Sequence, residues 1–364
     1  MTGRLRFKVG RPLFTAAAGA VITAVVATAC GGAGGQPGDA PQVASTPAVA
    51  PVPTPVWTAP VPIPLGPLAD YQTAVEAAVH DHLQVWIEAD MVKRWEEGPK
   101  WFRAAVARVA VLANRPGVVG IKITDELGHD DGLGSAGQIR RFLSDTARAL
   151  HAAAPHKLIL ADMVLPELGC MPGHQPAGSG AAACAAQARA TYPQIALPEV
   201  SSYLRMHAID VLDLSTGILP DSTYTGWRST ADAAQAAAWQ EVGRLGWGRL
   251  VRLQARRALA HPGSYDGTPA QAAAKVRLFV DIPLADGAHA VDIWTWRQAY
   301  DGAMYRLMNP GMRPNSLWGQ LKQRHARDVL FTHMSPHSVE SGLTGDLAKI
   351  ATVFTDIFLP AGTG

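Results

Sequence analysis

The chain has 364 residues, of which 17% are charged, and a formal net charge of +2. So even a balance supplies no basic stripe for a polyanion, and no nucleic-acid partner is expected. Setting aside the sequence up to residue 66 leaves roughly 300 residues, enough for one large core.

The front of the chain reads as an export signal. Arg4, Arg6, Lys8 and Arg11 precede an uncharged apolar run from Leu13 to Ala29. That is the order of a secretory signal, and the run is short for a membrane span, which needs about 20 apolar residues. Ala27-Thr28-Ala29-Cys30-Gly31 resembles a bacterial lipobox, although Ala27 stands where Leu is usual. The resemblance implies that Cys30 is acylated and becomes the new N-terminus. Ordinary cleavage after Ala-Thr-Ala, giving a secreted protein, is the alternative. Residues 31–66 are Gly, Pro, Ala, Val and Thr with little charge, and read as an extended tether. Val56 to Leu65 could add an edge strand, limited by its prolines. The expected organisation is a signal peptide at 1–29, an anchor cysteine and linker at 30–66, and a folded domain at 67–364. The expected location is extracytoplasmic, with the membrane reached through the lipid anchor only, and the expected state is a monomer.

Two further cysteines, Cys170 and Cys184, flank a Gly/Ala/Pro-rich stretch. In an oxidising compartment they could pair and close that loop, stabilising the fold by about 3 kcal/mol. Otherwise they are two unpaired thiols in a loop.

Beyond the tether, strand and helix patterns alternate. Leu83 to Asp90 reads as a strand. Pro99 can open a helix whose apolar face is Phe102, Val106, Val109 and Ala110. Val118 to Glu126 is a β-branched strand. Ser135 and Gln138 suit a capping box, followed by Ile139, Phe142, Leu143, Thr146 and Leu150 on one helical face. Leu158–Asp162 and Ile209–Ser215 are further strands. An Ala-rich helix spans Ser229 to Leu245, and a fifth strand Leu250 to Gln254. Thr268, Pro269 and Gln271 start another capped helix, running through Val276, Phe279 and Val280. Ala290 to Trp296 is a sixth strand. Leu317 to Leu330 and Val339 to Phe358 read as helices. Strands separated by helices predict parallel pairing with right-handed crossovers, and the count fits an α/β fold of the (β/α)8 TIM-barrel type. An open nucleotide-binding sheet lacks its Gly-rich phosphate loop here.

Polar residues gather where the strands end. The first strand ends in Glu88 and Asp90, the second in Asp125 and Glu126, and the third in Asp162. The fourth carries Asp213 and Ser215. The fifth runs into Gln254 and Arg256, and the sixth into Trp294, Trp296, Arg297 and Gln298. In a parallel barrel these ends share one face, where active sites are built. Carboxylates brought close there raise one another's pKa, preparing one as proton donor and leaving another ionised. Taken singly, each acid is equally at home solvated or salt-bridged at a strand end.

Gly120-Ile121-Lys122-Ile123-Thr124-Asp125-Glu126 resembles the fourth-strand segment of barrel glycoside hydrolases, in which a Glu ends the strand as general acid. In chitinase-like members Lys122 and Thr124 would be aspartates. In another group Asp125 would be Asn, and a late strand would end in a nucleophilic Glu where this chain offers Gln254. Asp292-Ile293-Trp294-Thr295-Trp296 looks like the tryptophan-bearing eighth strand that floors the sugar site. The resemblance implies a cell-surface enzyme that cleaves an extracellular or cell-wall glycan. Glu126 would be its general acid, with Asp125 as support and Asp213, or else Asp162 or Asp90, as partner carboxylate. Glu88, Asp90, Asp162, Gln254, Trp294, Trp296 and Arg297 would contact substrate, and no cofactor is expected. Two residues apart in a strand, Trp294 and Trp296 share a face, either inward beneath a sugar or outward beneath a helix. Trp86 reads as core.

Other signals are thinner. Glu126 and His129 have a helical metal spacing, but Gly128, Gly132 and Gly134 argue for a loop. No His-Glu-x-x-His or Gly-x-Ser-x-Gly occurs. Arg252, Arg256 and Arg257 could hold an anion or pair with nearby acids such as Asp213. The alternatives to a glycosidase are a barrel without catalysis that binds glycan or supports an envelope complex, and an enzyme whose divalent metal is held by Asp90, Asp125 and Asp162.

Overall fold

The computed structural model describes residues 68–129, 132–173 and 179–361. The signal, the lipidation site Cys30, the tether and the edge strand expected at 56–65 lie outside the described residues. Among the described residues no helix is long and apolar enough to cross a membrane.

The strands, numbered in chain order, are β1 Gln84–Glu88, β2 Val118–Lys122, β3 Leu158–Val164, β4 Val211–Ser215, β5 Arg252–Ala258, β6 His261–Pro262, β7 Ala290–Trp294, β8 Arg297–Tyr300, β9 Ala303–Arg306, β10 Leu330–His333 and β11 Asp356–Pro360. A closed, all-parallel barrel runs β1-β11-β10-β7-β5-β4-β3-β2, with helices on its outside. This is a (β/α)8 TIM-type barrel. A small antiparallel sheet, β6-β9-β8, follows the ends of β5 and β7.

Local chemistry sets the helix starts. Gly98 and Pro99 open the helix Pro99–Ala113. Ser135 accepts a hydrogen bond from the Gln138 amide at the head of Ala136–Ala153, and Thr268 forms a reciprocal capping box with Gln271 at the head of Pro269–Val276.

Two stretches read as helix are each a helix followed by a strand. Leu317–Leu330 holds the helix Ser316–Lys322 and then β10, and Val339–Phe358 holds the helix Leu343–Ile350 and then β11. Strands of four and five residues are too short for periodicity to separate them from helix. The Trp294 strand is therefore the sixth of the barrel, not the eighth.

Period two divides each barrel strand into two environments. Outward residues such as Ile87, Ile121, Ile159, Leu212, Leu253, Ile293 and Ile357 join the main core under the helices. Inward, a separate apolar cluster fills the barrel: Trp86, Leu160, Val211, Ala290, Phe331 and Phe358. Gly120 makes room for the Trp86 ring, because a Cβ there would lie 2.2 Å from its Cζ3. Two residues further along, the same inward rows turn polar: Trp86 leads to Glu88, Gly120 to Lys122, Leu160 to Asp162, Val211 to Asp213, Ala290 to Asp292, and Phe331 to His333. The barrel thus has an apolar floor and a charged layer above it, toward the strands' C-terminal ends.

Candidate active site

The charged layer is organised by three basic groups. Lys122, wholly buried, donates to Glu88 Oε1 at 2.8 Å and to Asp125 Oδ1 at 3.4 Å, with Asp162 Oδ2 at 3.5 Å. Arg256 reaches across the barrel from β5. It donates to Asp125 Oδ1 at 2.8 Å and Glu126 Oε1 at 3.4 Å, and contacts Asp162 Oδ2. His333 donates from Nδ1 to Glu88 Oε2 at 3.0 Å and from Nε2 to Asp292 Oδ2 at 2.9 Å. Carboxylate acceptors at both ring nitrogens require both to carry hydrogen, so His333 is imidazolium.

These neighbours push the acids apart. Burial drives Glu88 upward, but His333 and Lys122 outweigh it and bring it down to about 2. Burial likewise opposes ionisation of Asp125, yet Arg256 and Lys122 hold it well below the usual carboxylate range. Asp162 goes the other way. Burial raises it to about 8, helped by the charges of Asp125 and Glu126 and opposed by Arg256 and Lys122. The ion-pair contacts of Asp162 alone would favour its charged form. Burial prevails, because Lys122 and Arg256 are shared with Asp125 and the Asp162 side chain has no exposure. Asp213 is raised well above its usual value by burial, then by Asp292 and Asp162. Neither of its oxygens has a hydrogen-bond partner among the described residues. Burial is the largest single influence on His333 and lowers it, but Asp292 and Glu88 together overcome it and lift the imidazole to about 9.

Glu88, Asp125, Glu126 and Arg256 form the accessible part of the layer, with side chains 11–28% exposed. Six carboxyls (Glu88, Asp125, Glu126, Asp162, Asp213, Asp292) share the three basic groups, so each base already has acidic partners.

Other expected residues lie apart from this cluster or play structural parts. Asp90 caps the helix Met91–Glu96, and Gln254 is buried in the Asp213 layer, paired in register with it. Arg297 contacts Ser338 and Glu340. Trp294 and Trp296 do not share a surface, because β7 ends at Trp294. Trp294 packs against Tyr300 and Tyr305, whereas Trp296 donates to the buried Asp346 and packs on Trp318. Arg256 pairs with acids after β2 and on β3 rather than with Asp213. Arg257 points outward over Phe279, and Arg252 is exposed at the start of β5. His129 lies 3.6 Å from Glu126 Oε2 and stacks on Tyr192. Among the described residues no group of three or more His, Cys, Asp or Glu could hold a metal ion, which removes the Asp90–Asp125–Asp162 metal set. The residues that sequence reasoning missed are Lys122, Asp292 and His333. Asp292 had a usable signal in its inward spacing from Ala290; His333 lies in β10, just past the stretch read as helix up to Leu330.

No protein-family model matches the chain, and no curated protein matches it in sequence. Solved structures similar to it include a 2,3-dimethylmalate lyase of the PEP mutase/isocitrate lyase superfamily (15% identity, TM-score 0.37, covering 80% of this chain and 79% of that one). Others are D-psicose 3-epimerase from Clostridium cellulolyticum H10 (10%, 0.40, 76% and 85%) and 3-dehydroquinate dehydratase from Geobacillus kaustophilus HTA426 (15%, 0.38, 78% and 84%). At these values the likeness is one of architecture.

The glycoside-hydrolase expectation is corrected. The proposed apparatus comes apart. Asp213 is sealed beneath the mouth, Glu126 sits against Arg256, and the two tryptophans do not make one sugar floor.

Proposed function

We propose that the barrel mouth is a general acid–base site that moves a proton on a small polar substrate that is not an anion. The observation that carries this reading is the Asp125–Asp162 pair. Two carboxyl groups after β2 and on β3, which share Lys122 and Arg256, are driven in opposite directions, one kept ionised and the other kept protonated to about pH 8. Carboxyls separated in this way supply a base and an acid at the same pH. Asp125 is the accessible member, and Asp162 lies behind it as proton reservoir. Arg256 fixes both and, with Glu126, forms the adjoining wall. An anionic substrate would have to displace carboxylates from Lys122 and Arg256, whereas a neutral or cationic one would not.

The test is isotope exchange in D2O. A panel of small hydroxy-aldehydes, hydroxy-ketones and amino alcohols is incubated with the protein, and C–H to C–D exchange is followed by NMR. Exchange of at least one compound is expected from wild type, falling on the order of 10²-fold or more in Asp125→Asn and Asp162→Asn. Exchange that survives both substitutions in folded protein would refute the pair as the acid–base apparatus.

A further inference from the structure

Glu126 has an unusual backbone for its place. Its φ is 63°, a left-handed conformation that a side chain with a Cβ adopts reluctantly. Within its own turn it is held by two hydrogen bonds, Leu127 N to Asp162 O at 2.8 Å and His129 N to Glu126 O at 2.9 Å. The other supports come from the segment after β3. Tyr192 stacks on His129 with ring centroids 4.5 Å apart. Gln194 Nε2 donates to the Gly128 carbonyl at 2.6 Å. Ile195 is pressed so close that a Cβ on Gly128 would meet its Cγ2 at 2.7 Å.

That segment is itself anchored. The Tyr203 hydroxyl donates to Gln194 O at 2.6 Å, and Arg189 pairs with Glu167 at 2.6 Å. The Cys170–Cys184 disulfide ties the helix Ser179–Thr191, which leads into Tyr192, to the short helix Pro166–Gly169 at the end of β3. A single chain of contacts therefore runs from the disulfide to the turn bearing Glu126.

We propose that Tyr192 and Gln194 are positioning residues for Glu126, and that the Cys170–Cys184 bond keeps them in place. The segment acts as a brace on the second strand's loop. It sets where the Glu126 carboxylate stands relative to Arg256, His129, Asp125 and Asp162, the charged groups around it. The value of that placement for chemistry rests on the acid–base reading, but the placement does not.

The experiment therefore reads Glu126 without any substrate. The protein is labelled at the glutamate side-chain carboxyl carbon, Glu126 is assigned with Glu126→Gln, and its resonance is followed through a pH titration. The variants are Gln194→Ala, Tyr192→Ala, Tyr192→Phe and the double Cys170→Ser/Cys184→Ser. A brace predicts that Gln194→Ala, Tyr192→Ala and the double variant move the Glu126 midpoint by a few tenths of a pH unit or more. Glu76 and Glu241, which pair with Arg115 and Arg244 away from the brace, stay in place, and Tyr192→Phe, which keeps the ring, restores the wild-type value. An unmoved Glu126 resonance in Gln194→Ala and Tyr192→Ala overturns the proposal, as does an equal movement of every glutamate. Gln194→Ala removes one surface-proximal hydrogen bond, so it remains informative if the cysteine variant fails to fold. A moved resonance in a protein that exchanges no compound leaves the brace standing and removes the acid–base reading instead.

Discussion

Replacing His333 by Gln should flatten the alkaline side of the protein's stability curve. His333 is buried between Glu88 and Asp292, which lift its imidazole from 6.5 to about 9. Below about pH 6.5 the ring is protonated in both folded and unfolded chains, and its contribution is complete. Between 6.5 and 9 only the folded state holds the proton, so stability falls as pH rises. Above about 9 the contribution is gone. At roughly 1.4 kcal/mol per pH unit, the span corresponds to about 3 kcal/mol, of which about 1 kcal/mol is lost between pH 8 and 9. The lowering of Glu88 to about 2 reports the same contact from the other partner and is not added to it. Asp162 titrates in the same direction, since a raised carboxyl pKa also makes the folded state the better proton binder, but its window closes near pH 8. The interval from pH 8 to 9 therefore belongs chiefly to His333. Urea unfolding at half-unit steps from pH 6 to 9.5 measures it, with linear extrapolation at each pH. A wild-type curve that drops across that interval beside a flat His333→Gln curve is the expected result. Parallel curves would mean that His333 is not held as an imidazolium and that the charge layer is assigned wrongly.

Gly120→Ala should destabilise by about 1–3 kcal/mol through overpacking, because the added methyl meets the Trp86 ring and the Leu158 carbonyl oxygen at 2.8 Å; urea midpoints check it. Lys122→Met should cost about 3–5 kcal/mol at pH 7, since Glu88, Asp125 and Asp162 lose a shared cation, with part of the loss recovered as those carboxylates protonate in acid. Thermal unfolding at pH 7 and pH 4 reads both halves of that statement. Asp162→Asn should be close to neutral near pH 4, where the carboxyl is protonated in folded and unfolded chains alike, and should become relatively stabilising as pH rises toward 8, because only wild type loses stability across that window; Asp125→Asn should destabilise at neutral pH. The double Cys170→Ser/Cys184→Ser variant should lose about 3 kcal/mol in chemical denaturation, the loop-closure value for a 14-residue separation.

The alternation that builds this site was readable wherever a strand was long enough to display it. Leu160 then Asp162, Val211 then Asp213, and Ala290 then Asp292 each place an apolar residue below an acid on one inward row. The acidic strand ends thus pointed to the right face of the barrel. What sequence order could not supply was which cation meets which acid. Arg256 follows β4 in the chain, yet its partners sit at the ends of β2 and β3, because barrel closure lets a long side chain cross the mouth to strands that are not its neighbours. Lys122 looked like a departure from an acidic motif, although its burial under Glu88, Asp125 and Asp162 makes it the centre of the layer. His333 was hidden in a four-residue strand. These omissions left the carboxylates without the cations that set their charge states. Asp125 and Asp162 occupy equivalent places in the sequence pattern, and nothing in either residue distinguishes donor from base. Both acids contact Lys122 and Arg256, so the distinction comes from depth: Asp162 has no exposure and feels the charges of Asp125 and Glu126, whereas Asp125 keeps 28% of its side chain exposed. On the proposed reading, acid and base are therefore told apart by burial and by neighbouring charge, neither of which is visible in the order of the carboxylates along the chain.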